Sequence, residues 1–411
     1  MFGAGEEDII LPGEREEVLK SGPGLEPDPE IAAAPFVMPA AHTNASWSQP
    51  GGLPDNAPQH LALSADLQQV WQADAGSGSS SQGRLAASPI MVGGRVFVLD
   101  TQATLRAFDA SSGNRLWVKG LAPEKEEAEE GFGGGIASDG TLVFATTAFG
   151  NVIAVDAGTG QTLWGKKLEV PIRTAPTVAD GRVYFTTVSN EVYCLSADEG
   201  TILWRFQGTG ETAALIASTS PAVADGIVVI PYTSGEIMAF SVADGLPLWG
   251  DSLSRTGVIS SLSLLNDIAG RPVIDNGQVF AIAHAGRLVA IDLRSGQRLW
   301  ARNISGTQTP WVAGDYVFVI SEDGTFSALS RKDGRVRWTT TLPAGHIWSG
   351  PVLAGGRLIA VSSKGVIANI SPENGSILSQ VDIGRPMYIA PVIAGNTAYI
   401  LTDDATLIAM R

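Results

Sequence analysis

The chain has 411 residues, 44% of them hydrophobic, which is long enough for a sizeable core and too apolar for a disordered polymer. A formal net charge of −15 with only 27 Lys+Arg repels phosphate backbones and argues against a nucleic-acid partner. One cysteine excludes an internal disulfide, and no stretch approaches the roughly 18 apolar residues of a membrane-spanning helix.

Residues 1–46 are rich in Pro, Ala, Gly and acidic side chains, a composition that predicts an extended, flexible N-terminal tether. The chain opens MFGAGEEDIILPGERE, without the basic and then apolar pattern of a secretory signal. A lone Trp in such a polar arm usually docks, so Trp47 marks the expected start of the folded part, 47–411.

From there the sequence repeats. Units begin near Ser88, Gly134, Ala175, Ser220, Arg271, Thr309 and Gly350, as in SPAVADGIVVIPYTSGEIMAFSVADGLPLW. Each reads as a short apolar run, a turn pair such as Asp-Gly or Gly-Gly, two alternating strands and a last strand ending in Leu-Trp. Trp71, Trp117, Trp164, Trp204, Trp249, Trp300 and Trp338 close the units at a spacing of about 44 residues, and Leu378 stands in that place in the seventh.

Four antiparallel strands per repeat without crossover helices predict an all-β, eight-bladed β-propeller. The C-terminus, APVIAGNTAYILTDDATLIAMR, supplies only three strands of the last blade. The stretch SADLQQVWQAD, ending its apolar run at Trp71, is expected to donate the fourth and close the ring.

The recurrent segment IDLRSGQRLW (291–300) could hold a metal or a phosphate, or be only a joint. Its Asp is replaced by Ser196, Ser241 and Ser330 in other units, so a turn that caps backbone N–H groups is the better reading. Leu299 and Trp300 are both expected at the interface between blades.

Chemistry-bearing patterns are few. His42, His60, His284 and His346 lack metal-ligand spacing. The glycine-rich GFGGGIASDG (131–140) precedes no helix, so it reads as a blade entrance rather than a phosphate cradle. The acidic EKEEAEE (124–130) lacks calcium-loop spacing and reads as a solvated insertion. NAS (44–46) and NIS (303–305) match a glycosylation pattern that arises often by chance. Cys194, in the alternating run VYCLS, reads as a small buried strand residue rather than a nucleophile.

Two inter-blade inserts are longer than a minimal connection: GTGETAALIASTS (208–220) and SRTGVISSLSLLNDIAG (254–270). Each joins the last strand of one blade to the first of the next, so both emerge on the same face of the disc. Their aliphatic residues, among them Leu264 and Leu265, form a candidate protein-binding patch or merely cover blade ends.

The repeat as a whole resembles the quinoprotein-type propeller repeat, and over 47–411 it is most similar to the BamB family of outer-membrane protein assembly factors. The run from Gly210 to Trp300, inserts included, carries the resemblance. In that family the two inserts bind the periplasmic (POTRA) domains of BamA. The resemblance implies contact roles for Leu215 and Asp267, with Ile216 where the family has Arg, Ala213 where it has Leu and Ala269 where it has a second Asp. It also implies a monomeric, non-catalytic scaffold without cofactor, which also meets nascent outer-membrane proteins. Family members are lipoproteins on the periplasmic face of the outer membrane, and Met1 looks like a stand-in for their lipidated Cys. A quinone (PQQ)-dependent dehydrogenase is the alternative the repeat type allows, and a generic protein-binding propeller is another. The dehydrogenase class typically uses a calcium ion, a carboxylate set and often a vicinal Cys pair, which one cysteine cannot supply.

Overall fold

A computed structural model describes residues 25–128, 131–172, 174–208, 219–254, 268–284 and 286–411. The described residues form eight four-stranded antiparallel sheets, arranged as an eight-bladed β-propeller with one short helix, Pro29–Ala33. Seven blades are continuous: 90–120, 134–167, 177–207, 222–252, 273–302, 311–341 and 348–382. The eighth combines 392–410 with the N-terminal strand Gln69–Asp74, which pairs with Thr406–Met410. No helix among the described residues is long and apolar enough to cross a membrane.

The turn pairs do what their chemistry dictates. Asp180 and Gly181, Asp225 and Gly226, and Asn276 and Gly277 all have positive φ, as a two-residue hairpin between right-twisted strands requires. The next connection is the IDLRSGQ turn. Asp292 Oδ1 accepts from the Ser295 backbone N–H at 2.8 Å, and the Gly296 N–H closes on the Asp292 carbonyl at 2.9 Å. Where Ser replaces Asp the backbone bond persists, as in Gly245 to Ser241 at 2.9 Å. The segment is a joint.

What the joint meets is the tryptophan of the preceding blade. The Trp300 Nε1–H donates to the Arg331 carbonyl of blade 6 at 2.8 Å, and its ring lies over Gly334. The same bond into the next blade recurs at Trp71, Trp117, Trp164, Trp204, Trp249 and Trp338, at 2.7 to 3.2 Å. Each ring covers the turn glycine of that blade. A Cβ on Gly296 would sit 2.5 Å from Trp249.

Two details differ from the sequence expectation. Trp300 is 7% exposed but Leu299 is 43% exposed. The ladder pairs Ala290 with Trp300 and Ile291 with Arg298, so Leu299 is the extra residue of a β-bulge and turns outward. In blade 7 the register sets Ser379, not Leu378, in the tryptophan position, opposite Asn369. The reason is topological. Blade 8 takes its last two strands from opposite chain ends, which meet through reciprocal Gln68–Arg411 backbone bonds of 2.9 Å. That blade has no turn on which an indole could dock.

The N-terminal arm finishes the disc. In the stretch expected to be a tether, residues 25–46 lie against blades 6 to 8. Asp28 caps the helix, the Asp28 N–H bonds the Val336 carbonyl at 2.8 Å, and Arg337 reaches the Ile31 and Ala34 carbonyls at 2.8 and 3.0 Å. Residues 44–61 then circle the channel and bond every blade in turn. Asn44 holds Gly395 of blade 8, Trp47 pairs both ways with Met91 of blade 1, and Ser48 accepts from Ser138 of blade 2. The Gln49 side chain serves blade 3 through Val178, and Pro54 and Asp55 accept from Val223 and Ile274 of blades 4 and 5. Gln59 takes the Trp311 indole of blade 6, and Leu61 bridges Leu353 and Gly355 of blade 7. This strap satisfies inner strand edges that face no neighbour in the ring. Trp47, 4% exposed, docks as expected and stacks on Trp311.

Two measurements probe this frame. Gly296 and Gly277 share a φ near +70°, but a Cβ at Gly277 meets nothing within 4 Å. Gly277→Ala is expected to cost about 1 kcal/mol and Gly296→Ala about 3 kcal/mol in denaturant unfolding at unchanged slope. Equal costs would remove the indole from the account. Hydrogen bonds from Ser111, Thr159 and Ser295 hold Asp109, Asp156 and Asp292 below the usual carboxylate range. A depressed folded pKa gives stability that is present above the unfolded value and lost as pH falls through the folded one. Thermal stability should therefore drop on acidification below about pH 4, and less steeply in a triple Asp→Asn variant at these positions.

Candidate functional site

The two long inserts spring from one base on blade 4. The first leaves at Gly208, whose N–H bonds the Asn190 carbonyl at 2.9 Å and whose Cα lies against the Tyr232 ring. The second returns at Ile268, whose N–H meets the Tyr232 carbonyl at 3.4 Å. Thr219, where the first insert ends, donates its hydroxyl to the Gly270 carbonyl at 3.4 Å, tying the two together. Tyr232 is fully buried, and Thr233 beside it bonds Asn190 at 3.0 Å. Of the residues singled out by sequence, Ala213, Leu215, Ile216, Leu264, Leu265 and Asp267 lie outside the described residues. Ala269 is described, and it lines a funnel at the axis of the disc.

That funnel, about 320 Å³, is formed by the residues that lead into the innermost strands, on the face where the inserts emerge. The strap, through Trp47, Pro50, Gly51 and Asn56, lines its other end. Arg84 is exposed, with its guanidinium 4.5 Å above the Tyr388 ring. Deeper, Arg271 of blade 5 extends across the axis to the Ser88 hydroxyl of blade 1, 3.1 Å away. Burial pulls its guanidinium down to about 10.

Sequence reasoning missed Arg271, although a signal exists. Seven blades are entered through an X-Pro step, and X is Ser88, Ala175, Ser220, Arg271, Thr309, Gly350 or Ala390. Six are small, as a crowded axis demands, and one is a long cation. Arg84 has no such signature.

Other sequence candidates are scattered or structural. His60 accepts from the Gly356 N–H at 3.0 Å through Nε2, so its Nδ1–H donates to the Pro39 carbonyl at 2.8 Å. His284 pairs with Glu322, and His346 stacks on Trp348. Residues 131–140 run straight into the strand Gly134–Ser138, whose Ser138 N–H holds the strap. Glu124–Ala128 of the acidic insertion precede two residues outside the described set. Cys194 is buried opposite Trp204, and burial pushes its thiol up to about 12.

A calcium-held quinone does not fit these residues. Calcium takes six to eight oxygens, largely from carboxylates. Among the described residues no Asp or Glu lines the funnel, and no group of three or more His, Cys, Asp or Glu could hold a metal.

Comparison with known proteins agrees with the geometry. A relative from Escherichia coli K12, outer membrane protein assembly factor BamB, is 31% identical over 317 residues, covering 65% of this chain and 81% of its own. The crystal structure of BamB from Moraxella catarrhalis superposes with a TM-score of 0.71 at 20% identity, over 84% of this chain and all of that one. The fold alone is shared with quinohemoprotein alcohol dehydrogenase from Comamonas testosteroni, at a TM-score of 0.72 and 13% identity over 90% of this chain and 81% of that enzyme. The family model for outer membrane protein assembly factor BamB matches residues 54–132 and 101–340, and the chain belongs to that family.

Proposed function

We propose that this chain is a non-catalytic scaffold of outer-membrane protein assembly, which binds the periplasmic POTRA domains of BamA through its two inserts. The observation that carries the reading is their common root. Gly208 and Ile268 meet at Tyr232, and Thr219 bonds the Gly270 carbonyl, so the described residues that flank the two inserts are tied together at blade 4. A preorganised base lowers the ordering cost of association. Leu215 supplies apolar burial and Asp267 a charged contact, with Ile216, Leu264 and Leu265 around them and Ala213 and Ala269 at the edges. The relatives' names support the assembly role. The chain works as a monomer at the periplasmic face of the outer membrane, held by a lipid anchor, where nascent barrel proteins also pass.

The test is capture of purified BamA periplasmic domains. Leu215→Glu should weaken it about ten-fold or more, and Asp267→Lys should weaken it in a salt-sensitive way, both without change in the unfolding midpoint. Capture of the Leu215→Glu chain at full strength would sink the assignment. The non-catalytic reading has its own check. Cys194 should resist alkylation in the native state at neutral pH and react once the chain is unfolded. Rapid native modification would reopen the question of a nucleophile.

A further inference from the structure

The outer strand of every blade carries the same β-bulge, whose extra residue turns away from the sheet. In seven blades that residue is a leucine or valine left 43 to 57% exposed, with Leu299 and Leu378 at the two extremes. In blade 6 it is Arg337, only 6% exposed because the N-terminal arm lies over it. One arginine in a ring of aliphatic residues marks a position with a separate task.

That task is gripping the arm. Arg337 Nη1 donates to the Ile31 and Ala34 carbonyls at the end of the short helix, and Nε donates to the Glu373 carbonyl of blade 7 at 2.9 Å. The same guanidinium lies 5.2 Å from the ring centre of Phe36 in the arm and 5.6 Å from that of Tyr316 in blade 6. A planar fork with several donors holds two carbonyls and a ring at once, which neither leucine nor lysine can do. Arg335 adds an exposed ion pair to Glu30 at 2.7 Å.

The grip stops short of burial. None of residues 25–38 is buried, and among the described residues a single backbone bond, from the Asp28 N–H to the Val336 carbonyl, joins them to the disc. Their apolar contacts are the half-buried Leu25, Phe36 and Met38. From Pro39 onward the chain is fixed more firmly. His60 donates to the Pro39 carbonyl, His42 bonds His60 and Ala62 through its backbone, and Trp47, Gln49 and Leu61 are buried. A segment with solvent-exposed bonds and few buried apolar contacts opens locally at far lower cost than the whole fold. Lifting it would uncover a charged head that water accepts, not one more aliphatic knob.

We propose that residues 25–38 are a latch, closed on blade 6 by Arg337 and hinging at Pro39 while the disc stays folded. Closed, the latch packs Leu25 at the junction of blades 5 and 6. Open, it adds about 14 residues of free chain, up to about 50 Å of reach. If the chain is lipid-anchored, as proposed above, the latch sets two distances between the disc and its membrane.

The experiment is amide hydrogen exchange on the full chain, without any partner. The N–H groups of Asp28, Ala32 and Ala34 should be protected, yet exchange about 100-fold or more faster than those of Trp47 and Leu61 in the strap. Arg337→Leu, which restores the aliphatic type found in the other blades, should speed exchange in the latch about ten-fold and leave the strap unchanged. Phe36→Ala should act in the same direction. Phe36 belongs to the arm and is only half-buried, so its variant still decides the matter if Arg337→Leu fails to fold. The proposal falls if latch amides exchange as slowly as the strap, since the arm would then open only with the disc. It also falls if they exchange as fast as an unstructured chain, or if neither variant speeds them. Leu215→Glu should leave these rates unchanged, so the outcome is independent of the insert reading.

Discussion

An indole laid over a glycine, repeated from blade to blade, is the contact on which this disc depends. Each tryptophan does three things at once: it buries its ring, it donates its N–H to the next blade, and it fixes the turn of that blade from outside. Burying about 200 Å² of ring at about 25 cal/mol/Å² contributes roughly 5 kcal/mol per junction before ordering costs. A four-stranded blade cannot bury both of its faces alone. The interlock makes the neighbour a condition of folding rather than an accident of proximity. It also explains why glycine recurs at the turn: a positive φ and an indole at van der Waals distance leave no room for a side chain.

The ring has one seam where that device cannot operate, between blades 7 and 8. Blade 8 is sewn from both chain ends, and at the tryptophan position of blade 7 stands Ser379. Polar bonds occupy that region instead. Asn369 donates to the Ser379 hydroxyl at 3.0 Å and accepts from Arg357, which also reaches the Ser64 carbonyl at 2.7 Å. The strap is the second closure. By visiting all eight blades between Asn44 and Leu61, it links the first residues of the fold to every sheet. The same strap makes the axis blind at one end, which turns a channel into a funnel.

Much of this was legible in the sequence because repetition amplifies weak signals. A single Asp-Gly pair or a single strand-ending tryptophan says little; seven such tryptophans at a regular interval, from Trp71 to Trp338, establish strand number, blade number and ring closure. What escaped the sequence was whatever departs from strict alternation or joins distant segments. Leu299 was misplaced because one bulged residue reverses the face of its neighbours, and periodicity alone does not mark a bulge. Ser379 was overlooked because a hydrophobic neighbour, Leu378, mimics the missing ring. The strap has no period, and its partners are backbone groups, which carry no sequence signature. Arg271 was the opposite case, a visible exception in the X-Pro series that goes unnoticed when each unit is read only for what it shares.

That contrast bears on how such a disc acquires function. Positions set by the interlock have little freedom, since a change at Gly296 or Trp249 disturbs two blades together. Connections between blades answer to weaker constraints, because the loop closes onto a frame that is already rigid. The inserts around blade 4 and the arginine at the fifth entrance both fall at such connections. The likeness to quinohemoprotein alcohol dehydrogenase is one of fold, and a shared fold does not by itself carry a shared function. At the axis, Arg271 reaches from the fifth entrance to the Ser88 hydroxyl at the first, 3.1 Å away, a link across the ring that the repeat itself does not supply.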